Sequence, residues 1–154
     1  MSSRLFSAGD DTGKQTGEKR VVNKKTDYVI HTDVRYRPLE LVDVPALAAA
    51  CTDPWWNQTL CVVNDSVLRL GILKGEFHWH KHDDEDEHFF VLEGELLVDT
   101  RSVDTGDADT AVTTFPLGAK QGVTVPRGTM HRTRSAEGAV VLMIAGRDVV
   151  PTGD

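Results

Sequence analysis

Histidine is concentrated in one part of the chain, since five of its six histidines lie between His78 and His131. His78, His80 and His82 alternate with other residues, and in an extended strand side chains two positions apart point to the same face. His80 and His82 can therefore present two imidazoles side by side, with His78 one pleat further along. The spacing predicts a group of metal ligands or acid–base groups on one face of a strand.

Two more side chains are expected to join this face. The acidic residues 83–86 form a loop in which the chain can reverse, so Glu87 opens the next strand beside the imidazoles and Gly94 ends that strand with a turn. A tight turn over residues 126–128 leads His131 into another strand. Three neutral imidazoles and one carboxylate suit Fe, Mn, Ni, Zn or Cu, and the residue types do not choose among these ions. Four protein ligands leave positions open on an octahedral metal for substrate, water or O₂.

The elements that must position these residues are mostly strands. One helix is predicted from Asp43 to Cys51, because Asp43 can cap it, Pro45 suits its first turn and an alanine-rich run follows. From residue 60 onward, apolar and branched runs alternate with turns that contain Gly, Pro, Asn or Asp. These runs cover residues 60–63, 67–70, 76–82, 88–92, 95–99, 111–115, 122–125, 130–134 and 139–145. The pattern predicts an all-β sandwich or small barrel.

The length of 154 residues fits one domain, and a hydrophobic fraction of 40% can supply one core. The predicted segments are a polar arm over 1–20, one domain over 21–147 with its core at about 60–145, and a polar, frayed tail over 148–154.

Composition excludes several classes of protein. The formal net charge of −7 disfavours nucleic-acid binding. No apolar run approaches the ~18 residues that a membrane span needs, and the first seven residues lack the apolar stretch of a secretory signal. Cys51 and Cys61 are too few for a disulfide framework, and we expect buried thiols in a reduced, cytoplasmic protein.

The motif His80-x-His82-x₄-Glu87-x₆-Gly94 resembles the first conserved motif of the cupins, and Pro126-x-Gly128-x₂-His131 resembles the second. The resemblance spans roughly residues 60–145. Residues 79–82 and 89–96 are similar to small single-domain cupins of the mannose-6-phosphate-isomerase-like type. The resemblance implies a single jelly-roll-like β-barrel in which His80, His82, Glu87 and His131 surround one divalent metal ion.

Some positions depart from these motifs or admit another register. Lys74 and Lys120 stand where the motifs usually have turn glycines, Ser135 stands where the second motif usually has Asn, and residues 101–110 enlarge the loop between the motifs. The alternative His78-x-His80-x₄-Glu85 would place Leu92 at the closing glycine, so Gly94 favours the first register. The acidic run lacks the glycine and spacing of an EF-hand, which indicates a solvated loop. His88 has the opposite parity to Glu87 and is expected on the exterior.

The charge of this ligand set suggests a function. A divalent ion, three neutral histidines and one carboxylate leave a formal charge of +1, which a carboxylate, an enolate or a catecholate can neutralise. The first hypothesis is therefore an oxygenase-type enzyme whose small-molecule substrate chelates the metal. A non-catalytic metabolite- or sugar-binding cupin and a metal-dependent sugar isomerase or epimerase are the alternatives. Glu87 could accept a proton if it leaves the metal, and His78 is the candidate acid or base for an isomerase.

A homodimer is expected. Residues 21–42 are predicted to be extended ahead of the barrel, and such a segment can add a strand to the sheet of a neighbouring subunit. The alternative is a segment that folds back over its own barrel.

Overall fold

The computed structural model describes residues 28–101 and 111–154. The polar arm over residues 1–20, the start of the segment 21–42 and residues 102–110 of the predicted loop lie outside the described residues.

The described residues form eight strands and one short helix, which confirms the all-β prediction. In chain order these elements are β1 (Val29–His31), α1 (Val44–Ala50), β2 (Trp55–Val63), β3 (Ser66–Glu76), β4 (Glu87–Gly94), β5 (Leu96–Arg101), β6 (Val112–Leu117), β7 (Gly122–Val125) and β8 (Met130–Gly146). Among these residues no helix is long and apolar enough to cross a membrane.

The sheet has two branches that meet on β8. In the first branch the strand order is β1-β2-β3-β8-β4-β7. In the second branch β5 pairs with β8, and β6 pairs with the other edge of β5. Neighbouring strands are antiparallel apart from β1 and β2, which are parallel. Side chains from both branches pack into one core, and its fully buried members include Val91, Leu96, Val98 and Val141.

The strand β8 is longer than predicted. The sequence suggested separate strands at 130–134 and 139–145, but one strand of 17 residues covers both. Its first part pairs with β5 and with the end of β3, and its second part pairs with β3 and β4. Gly138, with φ of 106°, lies between the two parts, where β8 passes from one branch to the other. A Cβ on Gly94 would lie 2.2 Å from the Gly138 carbonyl oxygen, so the closing turn of β4 requires glycine.

The helix forms where the sequence predicts it, and the two tryptophans that follow it pack on opposite sides of the sheet. Asp43 caps α1 by accepting a hydrogen bond from the Ala46 amide at 3.0 Å. Trp55 packs in the barrel core, while Trp56 lies in a second cluster on the outer side of the sheet, beneath α1. Cys51 borders that second cluster, and both cysteines are free and half-buried instead of fully buried as predicted.

The segment ahead of the helix lies on its own barrel. Among residues 28–42, the described part of the predicted extended region, only Val29–His31 forms a strand, and it pairs with β2 of the same chain. The amides of Arg35 and Tyr36 then donate to the carbonyls of Thr59 and Leu60 at 3.1 and 2.9 Å. The described part of residues 21–42 therefore adopts the fold-back alternative.

Candidate metal centre

Four ligand-type side chains converge at one point. His80, His82, Glu87 and His131 are all buried, and each offers a ligand atom within 4.8 Å of those of the other three. The Nε2 atoms of His82 and His131 each lie 3.3 Å from Glu87 Oε2. The structure thus brings together the four residues that the two motifs predicted.

Backbone contacts hold these side chains in place. The sequence predicted one strand over 76–82, but β3 ends at Glu76 and the chain rejoins the sheet through a single bridge between His80 and His131. In this bridge the two residues exchange N–H···O bonds of 3.0 and 2.8 Å. The Gly128 amide donates to the His82 carbonyl at 2.7 Å, which joins the second-motif turn to the first motif.

The imidazoles of His80 and His131 have defined tautomers. His131 Nδ1–H donates to the Thr129 carbonyl at 3.0 Å, and His80 Nδ1–H donates to the His78 carbonyl at 3.1 Å. In its neutral form each ring therefore carries its lone pair on Nε2, as metal-binding histidines usually do, and Nε2 of His131 lies 3.3 Å from Glu87 Oε2. Neither ring nitrogen of His82 has a hydrogen-bond partner of good geometry, although both are buried. A metal ion would satisfy a buried nitrogen of this kind, and the donor set fits one ion.

The charges of the cluster are strongly coupled. Burial alone would raise the pKa of Glu87, but the neighbouring imidazoles of His131 and His82 lower that pKa to about 2. Burial and the neighbouring His131 lower the pKa of His80 to about 3. Burial would also lower the pKa of His82, but the Glu87 carboxylate, helped by Asp154 and Glu85, raises it above the ordinary value. The cluster is therefore an ionised carboxylate among imidazoles of unequal basicity.

A cavity of about 20 Å³ lies beside two of these ligands. This volume has room for little more than one water molecule and is far below the ~300–1,000 Å³ that is typical of ligand pockets. The lining combines apolar and aromatic side chains with a few polar ones, and consists of Trp55, Asn57, Leu73, Phe77, His80, Glu87, Phe89, Thr133, Met143 and Pro151. In this arrangement only a very small group fits against the cluster, so a larger ligand would require part of the wall to move.

Other predicted side chains lie outside the cluster. His78 was expected to line the cavity, but it is not among the lining residues; its Nε2–H donates to the Thr152 carbonyl at 2.8 Å. Its ring centre is 5.4 Å from that of His80, as shared parity predicted. Glu85 lies outside the cluster, so the alternative register is wrong. His88 faces outward and contacts Thr124 Oγ1 at 2.9 Å, as predicted.

Two features of the site were missed from the sequence. Asn57 lines the cavity, and its Oδ1 accepts a hydrogen bond of 2.9 Å from Arg69 Nε. Arg69 is only 3% exposed, and burial lowers its pKa to about 10. Strand parity could have identified both residues. Asn57 lies two positions from Trp55 on β2, and Arg69 lies four positions from Leu73 on β3, so each points to the same inward face as its apolar neighbour.

The second missed feature is the tail. Residues 148–154 were predicted to be frayed, but hydrogen bonds join them to the first motif. The Asp154 amide donates to the Lys81 carbonyl at 3.1 Å, and Asp154 Oδ2 accepts from the Asp83 amide at 2.7 Å. Polar composition predicted a free end, but these backbone contacts carry no signature in the sequence.

Known proteins resemble this chain in sequence and structure. Over 90 residues it is 43% identical to the uncharacterized protein YdbB of Bacillus subtilis. The aligned region covers 58% of this chain and 72% of YdbB. The structure of a cupin-2 domain protein of Shewanella frigidimarina matches with a TM-score of 0.58 and 25% sequence identity. The match covers 68% of this chain and 92% of the Shewanella chain. Protein NMB1881 of Neisseria meningitidis is also 25% identical, with a TM-score of 0.56, covering 70% and 99% respectively.

No family model matches the chain. The relative in sequence, the shared fold and the buried set of three histidines and one glutamate together establish that this chain belongs to the cupin superfamily, as a small single-domain member.

Proposed function

We propose that the protein is a metal-dependent enzyme of oxygenase type that acts on a small anionic molecule. One observation carries the proposal: three imidazoles and one ionised carboxylate meet at a buried point beside a small, largely apolar cavity. His80, His82, Glu87 and His131 would hold one divalent ion. When bound, the ion would act as a Lewis acid with open positions for oxygen atoms of a chelating substrate.

The charges favour an anionic substrate. A divalent ion with Glu87 as its charged ligand keeps a formal charge of +1, and Arg69 adds a buried cation behind Asn57. The hydrogen bond from Arg69 Nε occupies Asn57 Oδ1, and Asn57 Nδ2 donates weakly to Met143 Sδ at 4.0 Å, which leaves its second N–H available to a substrate oxygen. A carboxylate, enolate or catecholate would meet positive charge and a donor in a cavity whose low dielectric strengthens both.

Removing one imidazole tests the ligand set. In His82→Ala we expect most of the bound metal to be lost while the barrel stays folded, because the His82 ring makes no hydrogen bond of good geometry to the protein. The matched control is His88→Ala, which removes an outward-facing histidine from the same region. Metal analysis and circular dichroism measure the two effects. Full metal occupancy in His82→Ala would contradict the assignment.

Acid should release the metal. Because the pKa of His82 is raised in the metal-free protein, a proton competes for this ligand once the pH falls through that value, and above it the competition vanishes. Affinity should then fall about tenfold per pH unit for each competing proton, with metal lost roughly one to two units below neutrality. Dialysis across a pH series followed by metal analysis measures the loss. Metal fully retained at about pH 4 would refute this expectation.

The reaction class is tested by oxygen uptake. Protein purified without added metal is first analysed for its metal and then loaded with Fe(II). It is incubated with panels of 2-oxo acids, enediols, catechols and sugar phosphates in an oxygen-electrode cell. We expect O₂ consumption with one anionic class, and none with His82→Ala. Ligand binding without turnover would favour the non-catalytic alternative. Isomerised sugar without O₂ uptake would favour the isomerase. The structure gives this last alternative less support, because His78, its candidate acid or base, does not line the cavity.

We also propose a homodimer formed through residues 34–41. Since Val29–His31 already pairs with β2, the support comes from exposed apolar side chains: Leu39 and Leu41 are 107% and 85% exposed, beside the half-exposed Val34. Light scattering should give a dimer mass at ~10 µM. The double variant Leu39→Asp/Leu41→Asp should give a monomer, whereas Val112→Asp on β6 should not. A monomer mass for the unaltered protein would exclude the dimer.

A further inference from the structure

The segment Val150–Asp154, which follows β8, lines the metal cavity through Pro151; we call it the strap. Three hydrogen bonds join it to residues 78–83: the Thr152 carbonyl accepts from His78, the Asp154 amide donates to Lys81, and the Asp154 side chain accepts from the Asp83 amide. Within the strap, the Gly153 amide donates to the Val150 carbonyl at 2.8 Å, which forms a turn over the site.

The strap is part of the cavity wall. Pro151 lines the cavity together with His80 and Glu87, two of the four candidate ligands. The closest approach is made by Gly153, where an added Cβ would lie 2.6 Å from His80 Cβ and 2.9 Å from the Lys81 carbonyl oxygen. Gly153 also has φ of 85°. Both the space and the backbone angle therefore require glycine for the strap to lie this close to the site.

The strap is held by fewer contacts than the rest of the wall. The strands around the cavity are paired along their length, whereas the strap is not a strand and Val150 is 47% exposed. Segments that make few buried contacts and have exposed backbone hydrogen bonds are those that open locally in folded proteins. The strap can thus leave the cavity without breaking any pairing between strands.

We propose that the strap controls which ligands reach the metal: with the strap in place the cavity admits only small ligands, and larger ones enter when it is released. The proposal rests on the metal-dependent function given above. It also assigns His78 a role as a positioning residue, because its Nε2–H holds the strap at Thr152 while its ring contacts neither the cavity nor the four candidate ligands through hydrogen bonds.

The first test measures access in the metal-free protein. Diethylpyrocarbonate modifies exposed imidazoles, and mass spectrometry gives the rate at each histidine relative to the outward-facing His88. We expect His82 and His131 to react several-fold faster in Gly153→Val and in a variant that ends at Val149. Gly75→Ala is the matched control, because Gly75 also has positive φ but an added Cβ there meets nothing within 4 Å. Unchanged relative rates in both strap variants would overturn the proposal.

The second test measures selectivity in the Co²⁺-loaded protein. Acetate and 4-nitrocatechol are titrated while the absorption of the metal is followed. We expect the unaltered protein and Gly75→Ala to bind acetate and resist the catechol, and both strap variants to bind the two ligands. Equal access of both ligands to the unaltered protein would overturn the proposal. Faster labelling in a protein that binds no metal would uphold the strap as the cavity wall and would instead reject the metal-dependent function.

Discussion

The burial of the Glu87 carboxylate is the constraint on which the site depends. A carboxylate removed from water is strongly destabilising unless a proton, a cation or hydrogen-bond donors compensate its charge. Two imidazole nitrogens at 3.3 Å keep this group ionised, and the carboxylate in return favours a proton on a neighbouring ring, since it raises the pKa of His82. A divalent ion at the same point would replace that proton with a larger positive charge. The negative charge at Glu87 thus accounts both for the imidazoles around it and for the preference for a cation.

A second buried carboxylate fixes the strand that carries His131. Asp99 is fully buried on the opposite side of the sheet, where Arg132 and Arg134 of β8 donate to it at 2.9 and 2.6 Å and Thr114 of β6 donates at 2.7 Å. The hydrogen bond from Arg134, with those from Thr114 and Arg132, lowers the pKa of Asp99 to about 2 despite burial. Because His131 and Arg132 are adjacent, the ion pairs on one face of β8 position the imidazole on the other.

The residues of the site were predictable, and much of their framework was not. Parity and the spacing to Gly94 are local properties, so the cluster and its register could be predicted from the sequence. The continuity of β8 through Gly138 could not, since a glycine between two apolar runs usually marks a turn. The parallel pairing of Val29–His31 and the docking of the tail depend on contacts between distant parts of the chain, through backbone groups that every residue carries. His78 shows the same limit. Its strand parity predicts that its ring lies near His80, but parity does not predict the hydrogen bond from this ring to the Thr152 carbonyl.

Closure of the cavity joins the electrostatics of the site to its dynamics. The interaction between Glu87 and its neighbours is strong only while water is kept from it, because the attraction between charges falls as the effective dielectric rises. Core side chains on the strands line most of the cavity, and beside the first motif Pro151 lines it while Gly153 packs closely against His80. Movement of these residues would therefore change two properties together: the space open to a ligand and the field that the ligand meets. A ligand that restores the closed arrangement would be held by stronger electrostatic interactions than one that keeps the segment displaced, so shape and charge would be selected in one step.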